Sequence, residues 1–263
     1  MTRSIRLATL FLSLAWAAQS GVEAGVDLLV GRVLGFHVTR FDQLAAGLIR
    51  PVAVSSSGPG PGGDGGGGGG GRGGSGPGGG GPNDGRRIAY ELQNVGEITN
   101  RGWEVSGSLS THGLSVSTAY AVVDSRVRHL ADRYTGDLQP GDRMLEVPER
   151  TVSATASYAR GPWSASVTGS RAFDWVNYDR LALATAVESG DRLPRDLIGD
   201  RLRSFWRLYP GVNRLRANLS YDLRRALSLV ATADNLLDHQ FGEPDNVTVL
   251  PGRTIAGGLR ARF

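Results

Sequence analysis

The sequence predicts an all-β protein, an antiparallel transmembrane β-barrel segment of about ten strands with long extracellular loops. Three observations predict it. Apolar and polar residues alternate along many segments with a period of two, which is the period of a strand and not of a helix. The connections between these segments are alternately tight and long, as in outer-membrane barrels. With 40% hydrophobic residues and a mean hydropathy of −0.18, the chain is too polar for a bundle of membrane-spanning helices.

The final stretch, residues 252–263, shows the alternation most clearly. One set of alternate residues is apolar or small: Ile255, Gly257, Leu259, Ala261 and Phe263. The other set is polar, small or charged: Thr254, Ala256, Gly258, Arg260 and Arg262. A strand with lipid on one side and water on the other needs two such faces.

Residues 1–18 have a basic start, a short apolar run and an Ala15-Trp16-Ala17 exit, which is the pattern of a secretory signal. The apolar run is shorter than the roughly 20 residues that span a bilayer as a helix. Two interpretations stay open. The segment is a signal-like leader, or it is a start-site artefact in which the chain begins inside a longer reading frame with an interrupted strand or turn.

From residue 19 onward the chain reads as paired strands. The predicted strands are 21–30, 33–41, 88–98, 103–110, 114–123, 151–158, 163–168, 214–223, 227–237 and 252–263. Tight turns are predicted at 31–32, 99–102, 112–113, 161–162 and 224–225, and residues 43–54 are predicted to be irregular. Long loops are predicted at 125–149, 176–210 and 239–251. The faces rich in serine and arginine suit a water-filled lumen, because a dry core would leave their polar groups unpaired.

Residues 55–87 consist of glycine, proline, serine, one asparagine and charged residues, with hardly an apolar side chain. Such a segment cannot offset its backbone entropy by burial, so we predict a disordered, glycine-rich surface loop. A phosphate-binding glycine loop would need a preceding strand and a following helix with Lys-Ser/Thr, and neither is present. A nucleic-acid-binding role is disfavoured as well, since the block from 58 to 81 has Arg72 as its one basic residue and no aromatic residue.

The chain offers no recognisable catalytic or metal-binding pattern, and we predict no cofactor. It has no cysteine, and its four histidines lack the spacing of a metal site. All 29 basic residues are arginines and are interleaved with acidic residues, so the net charge of +4 does not indicate nucleic acid. Asp238 and His239 are adjacent and would point to opposite faces of a strand, which disfavours a surface protease.

Five stretches, taken in order, resemble motifs of one family. They are Ser20–Leu28, Asn94–Glu104, Val147–Thr151, Ala233–Asp238 and Pro251–Phe263. Together they resemble the C-terminal barrel portion of a TonB-dependent outer-membrane receptor of the siderophore or cobalamin type. The resemblance covers residues 20 to 263.

The resemblance implies an incomplete 22-stranded barrel in the outer membrane of a Gram-negative bacterium. The family's N-terminal plug, its TonB-binding box and about twelve early strands have no counterpart here, so the chain is expected to be a fragment that cannot transport alone. The implied ligand is a small iron or cobalt chelate or a vitamin. The implied partners are outer-membrane lipid, the barrel-assembly machinery and, only where a plug is present, TonB. The resemblance also implies that Phe263, with Ala261 and Leu259, is the assembly signal.

Two further sets of residues are candidates for function or for lumenal pairing. Trp175, Tyr178, Trp206 and Tyr209 fall in long loops and could stack on a substrate. Glu23, Asp27 and Glu104 are expected to face the lumen and to pair with lumenal arginines such as Arg214 and Arg216. The alternative function is an autonomous small outer-membrane barrel, either porin-like or a surface protease.

Overall fold

The computed structural model describes residues 5–7, 12–14, 19–54, 89–189, 197–240 and 245–262. In chain order the strands are β1 (Ile5–Leu7), β2 (Leu12–Leu14), β3 (Gln19–Val30), β4 (Leu34–Ala46), β5 (Ile49–Val54), β6 (Ala89–Asn94), β7 (Gly96–Thr111), β8 (Leu114–Leu130), β9 (Arg150–Arg160), β10 (Trp163–Phe173), β11 (Trp175–Tyr178), β12 (Trp206–Tyr209), β13 (Val212–Arg224), β14 (Leu227–Asp234) and β15 (Thr254–Ala261). Helix α1 spans Arg180–Glu188, and a 3-10 helix spans Gly199–Phe205. Within the described ranges, no helix has the length and apolar character needed to cross a membrane.

One antiparallel sheet forms a wall, in the order β1-β3-β4-β7-β8-β9-β10-β13-β14-β15. Short β1 and β2 both pair with the same edge of β3. The wall consists of nine long strands and, at its first edge, the two short strands β1 and β2, which share one strand position. Among the described residues, the first and last strands of the sheet do not pair with each other. The predicted fold class, an open antiparallel barrel segment of about ten strands, is confirmed. The leader interpretation of residues 1–18 stays a prediction.

The wall has two chemically different faces. Its register sets apolar residues beside apolar residues, as in the row Val116, Ala156, Val167 and Ala217. One residue further along, the row is Ser117, Thr155, Thr168 and Arg216. The exposed large apolar side chains of the wall lie mainly on the first face, among them Val22, Phe36, Trp103, Leu109, Leu219 and Leu229. An apolar face of this extent is typical of contact with lipid, so we call it the outer face and the polar one the lumenal face.

Charged residues bound the outer face toward one end of the wall. The Arg101 guanidinium pairs with Asp42 at 3.0 Å, and Arg40 lies 5.1 Å from the ring centroid of Trp103. On β8 the outward residues are apolar, aromatic or threonine from Leu114 to Val122, after which Asp124 follows. At ~3.4 Å per residue and a tilt of about 45°, this stretch covers about 20 Å of height, close to the apolar band of a membrane barrel.

The tight turns all lie at the opposite end of the wall, at 31–33, 112–113, 161–162 and 225–226. Gly113 and Gly161 have positive φ angles of 86° and 58°, which other residues adopt only at a cost. The long connections lie at the other end, as the alternation of tight and long connections predicts. The described residues of 47–95, 131–149, 174–211 and 235–253 belong to these connections, and we call them the loop layer.

Two predictions of local structure are wrong. Residues 99–102 do not turn but lie inside β7, and the chain breaks instead at Val95. Gly102 serves a close approach, because a Cβ there would lie 2.0 Å from the Val122 carbonyl oxygen and 2.6 Å from the Phe41 ring. Residues 43–54 are not irregular, since β4 continues to Ala46 and β5 pairs with β6.

The loop layer is folded rather than irregular. The predicted loop 125–149 starts only after β8 ends at Leu130, and the predicted loop 176–210 contains α1, the 3-10 helix and the β11–β12 hairpin. Most of the buried hydrophobic residues of the described chain lie in this layer or at the strand ends that enter it, and most of these form clusters around Leu145, Leu197 and Trp175. The predicted glycine-rich loop 55–87 lies outside the described residues.

Candidate functional site

A chain of three polar side chains lies on the lumenal face at β3 and β4. Asp27 and His37 are direct cross-strand partners, and Thr39 follows His37 on the same face. The Nδ1 atom of His37 lies 2.5 Å from Asp27 Oδ1, and its Nε2 atom lies 2.5 Å from Thr39 Oγ1. The carboxylate therefore orients the imidazole, and the imidazole bonds the hydroxyl.

Glu23 and Asp27 do not pair with the lumenal arginines as expected. Glu23 accepts a hydrogen bond from Gln43 Nε2 at 2.7 Å, and Asp27 pairs with His37. Arg216 makes a bidentate pair with Asp234 on the neighbouring strand, with both N–O distances 3.1 Å. The reason is distance. The acids lie on β3 and β7, whereas Arg214 and Arg216 lie on β13, and β8, β9 and β10 separate β7 from β13 in the sheet.

The lumenal wall also forms a shallow concavity of about 490 Å³ between β4 and β13. His37, Glu104, Ser153, Ser170 and Arg214 are among its lining residues. These groups offer hydrogen-bond donors and acceptors of both charges to water or to a polar solute. In the described ranges, no three acidic or histidine side chains come together as a metal site would require.

Arg203 is the hub of the loop layer. Its guanidinium forms a bidentate ion pair with Asp142, donates to the Asp137 carbonyl at 2.8 Å and lies 4.3 Å from the ring centroid of Trp206. Burial alone would raise the pKa of Asp142. The hydrogen bonds from Arg203 and from the Gln139 backbone outweigh burial and hold that pKa below its usual range.

The carboxylate of Asp137 joins two loop aromatics to this hub. Tyr178 Oη donates to Asp137 Oδ2 at 2.6 Å, and Trp206 Nε1 donates to the same oxygen at 2.7 Å. Burial and the neighbouring carboxylate raise the pKa of Tyr178 well above the usual tyrosine value. Tyr178 therefore stays protonated and remains a donor at physiological pH.

The last loop is fastened to the start of α1. Asp179 caps the helix by accepting from the Ala182 N–H at 2.9 Å, and it also accepts from Asn246 Nδ2 at 2.6 Å. The Ala182 N–H, followed by Asn246 and Arg207, holds the pKa of Asp179 below its usual range.

A second ion pair joins the same two segments, since Arg180 pairs with the buried Asp245 at 3.1 Å. Burial would raise the pKa of Asp245, but the N–H groups of Thr248 and Val247 outweigh it and lower that pKa. Two carboxylates thus hold residues 245–248 against α1.

The four aromatic substrate candidates come together in pairs within the loop layer. Trp175 and Tyr209 stack with ring centroids 5.8 Å apart and an interplanar angle of 6°, and both are buried. Tyr178 and Trp206 share Asp137 as their acceptor. In this arrangement the rings contact one another and the loop layer. Their role in stacking on a substrate stays a prediction.

Two of the three residues that are predicted to form the assembly signal lie on the last strand. Leu259 is exposed on the outer face opposite Leu229, and Ala261 lies opposite Leu227. Phe263 lies outside the described residues. Reading the sequence missed Asp137, Asp142 and Arg203, because nothing in their local pattern distinguishes them from the other charged loop residues.

Comparisons with known proteins agree with this geometry. A family profile described as "TonB dependent receptor-like, beta-barrel" matches residues 21–236. No curated protein sequence matches the chain.

Among solved structures, the copper transporter OprC is similar with 16% identity and a TM-score of 0.55 over 92% of this chain and 31% of its own. The FrpB iron transporter from Neisseria meningitidis has 14% identity and a TM-score of 0.53 over 93% and 30%. A mutant of the ferric enterobactin receptor PfeA from Pseudomonas aeruginosa has 19% identity and a TM-score of 0.54 over 93% and 31%.

These structural likenesses show the fold, and the chain spans about a third of the length of each of these structures. The family profile covers most of the chain, from β3 to the end of β14. The chain belongs to the TonB-dependent receptor β-barrel family.

Proposed function

We propose that the chain is the C-terminal barrel part of an outer-membrane receptor that takes up a metal chelate or a vitamin. The observation that carries the proposal is the wall, with a continuous apolar face, a polar face behind it and a folded loop layer at one end. The similar solved structures are named as copper, iron and ferric enterobactin proteins, which favours a metal or its chelate as the ligand.

The proposal assigns a partner to each surface. Outer-membrane lipid covers the outer face, and the loop layer faces the exterior of a Gram-negative cell. The barrel-assembly machinery recognises Leu259, Ala261 and Phe263 at the last strand. TonB is a partner only where the full-length protein carries a plug.

We expect residues 1–263 by themselves not to drive energised uptake, because the described residues form wall and loops and hold no domain in the lumen. The test expresses these residues in a Gram-negative strain that lacks its own chelate receptors, with and without a plug domain and the early strands supplied. Outer-membrane fractionation should find the protein in both cases. Growth on chelated iron should appear only with the supplied parts, and growth without them would contradict the proposal.

A further inference from the structure

A cavity of about 500 Å³ lies inside the loop layer, away from the lumenal concavity. Its walls come from β5, β6, the loop after β8, α1 and the 3-10 helix. Most of its lining is apolar, including Val52, Leu138 and Leu183, and a few polar groups converge on it. A cavity of this size and lining is typical of sites for small organic molecules.

Asp137 lines this cavity with a carboxylate that is hydrogen-bonded through one of its two oxygens. The residue is 5% exposed, and both hydrogen bonds described for its carboxylate end on Oδ2. The other oxygen, Oδ1, has no described donor. Oδ1 is not one of the buried side-chain atoms without a partner in the described residues, so it is open to the solvent of the cavity and can accept a hydrogen bond from a ligand.

The cations near the cavity already have carboxylates of their own. Arg50 lies 3.9 Å from Glu146, Arg180 pairs with Asp245 at 3.1 Å, and the Arg203 guanidinium is held by Asp142. Neutral donors, a phenol and an indole, bond the Asp137 carboxylate. Among the described residues, Asp137 is therefore the acid at this cavity whose carboxylate forms no ion pair, although the Arg203 guanidinium lies close by and donates to the Asp137 backbone carbonyl.

Aromatic rings surround the same space. Tyr90, Tyr134 and Tyr178 all line the cavity. Burial raises the pKa of Tyr134 as it does that of Tyr178, so these two rings stay neutral. The faces of neutral aromatic rings attract organic cations, and this attraction grows when water is excluded.

We infer that this loop-layer cavity binds a small organic ammonium ion with an apolar or aromatic body, and that Asp137 Oδ1 is the acceptor for the ammonium group. The tyrosine rings contact the cationic head, and Val52, Leu138 and Leu183 contact the body. This site goes beyond the proposed uptake of a metal chelate, and it stands or falls independently of transport.

The test uses the folded protein in detergent micelles and three probes of one shape: 3-phenylpropylammonium, 3-phenylpropanol and 3-phenylpropionate. Ligand-observed NMR titrations at neutral pH measure the Kd of each. The ammonium probe should bind at least tenfold more tightly than the alcohol, and the carboxylate should bind weakest. Equal binding of the three, or preference for the carboxylate through Arg50, would overturn the inference.

Asp137→Asn is the matched variant, because its amide oxygen still accepts from Tyr178 and Trp206 while the charge is lost. It should weaken ammonium binding at least tenfold and leave the alcohol unchanged. Asp200→Asn, an exposed carboxylate of the same layer that accepts from Gln139 at 3.2 Å, should change neither. If Asp137→Asn does not fold, Leu183→Trp fills the cavity with Asp137 intact and should abolish binding. Unchanged binding in whichever of these two variants folds would reject the site.

Discussion

The wall and the loop layer are built from the same chain but bury their side chains in opposite ways. In the wall Val167 is 46% exposed at the middle of its strand, and its apolar neighbours face outward with it. In the loop layer Leu197 is 1% exposed, and the buried clusters of the described chain are concentrated there or at the adjoining strand ends. The wall thus depends on a lipid solvent for its apolar face, while the loop layer has a dry core of its own.

This difference shows which interactions stabilise each region. The wall satisfies its backbone through the strand ladder, which is the requirement for a segment in hydrocarbon. The loop layer is stabilised as a water-soluble protein is, by packed side chains, a helix cap and ion pairs. Substitutions should therefore act on one region and spare the other, and four experiments test that separation.

The largest effect is expected for Trp175→Ala. This ring is 2% exposed and stacks on Tyr209, so its removal should cost about 3–5 kcal/mol of loop-layer stability. Urea unfolding in micelles, followed by near-UV circular dichroism, measures it. The control is Trp163→Ala, which removes a half-exposed ring from the outer face of the wall. An equal loss of stability in this variant would contradict the difference between the two regions.

The second effect tests the wall. Val167→Arg places a charge in the middle of the outer face and should cost about 2–4 kcal/mol in lipid vesicles. Ser166→Arg, one residue away, points to the wet lumen and should cost much less, because its charge stays in water. The measurement is urea unfolding from vesicles by far-UV circular dichroism. Similar losses in the two variants would refute the assignment of the faces.

The third experiment varies pH and acts on the loop layer. Asp142, Asp179 and Asp245 have lowered pKa values, so their contribution is present above the unfolded aspartate pKa, at about 4, and is lost as pH falls through their folded values. Tyr134, Tyr178 and Tyr209 have raised pKa values, so stability also declines as pH rises above about 10, where the unfolded tyrosines ionise first.

The readout for the pH experiment is tryptophan fluorescence in a variant with Trp16→Phe, Trp103→Phe and Trp163→Phe, which leaves Trp175 and Trp206 in the loop layer. Their emission should shift to the red at both pH extremes before the far-UV strand signal changes. If the stability of the loop layer did not fall as the pH is lowered below about 4, the role of the three aspartates would be contradicted.

The smallest effect is expected for Asp179→Ala, which removes the cap of α1 and the contact with Asn246. The loss should be about 1 kcal/mol, the usual value of a helix cap. Hydrogen exchange should show faster exchange at Ala182 and in residues 245–248, with the wall unchanged. Asp200→Ala is the matched control. The same increase in exchange in that variant would show that loss of the helix cap is not its cause.

Much of the wall could be predicted from the sequence, and much of the loop layer could not. Alternation in β13 and β15 is local, so the two faces and the tight turns follow from residue order alone. The sequence predicts a turn that includes Gly102, whereas the role of this glycine, the close approach of Phe41 and Val122, exists only after three strands meet. The pairing of Arg203 with Asp142 spans 61 positions, a separation to which no periodicity extends.

The sequence by itself determined that this protein has one apolar and one polar face per strand, alternating short and long connections, and a resemblance to TonB-dependent receptor barrels. The reason is that a strand with lipid on one side needs an apolar residue at every second position, and this alternation can be read from the order of the residues. Only the tertiary structure decided which loop residues meet, that Asp137 keeps an open oxygen at a cavity, and that the aromatic candidates pack in pairs. Those choices depend on contacts between distant segments, which only the folded chain creates.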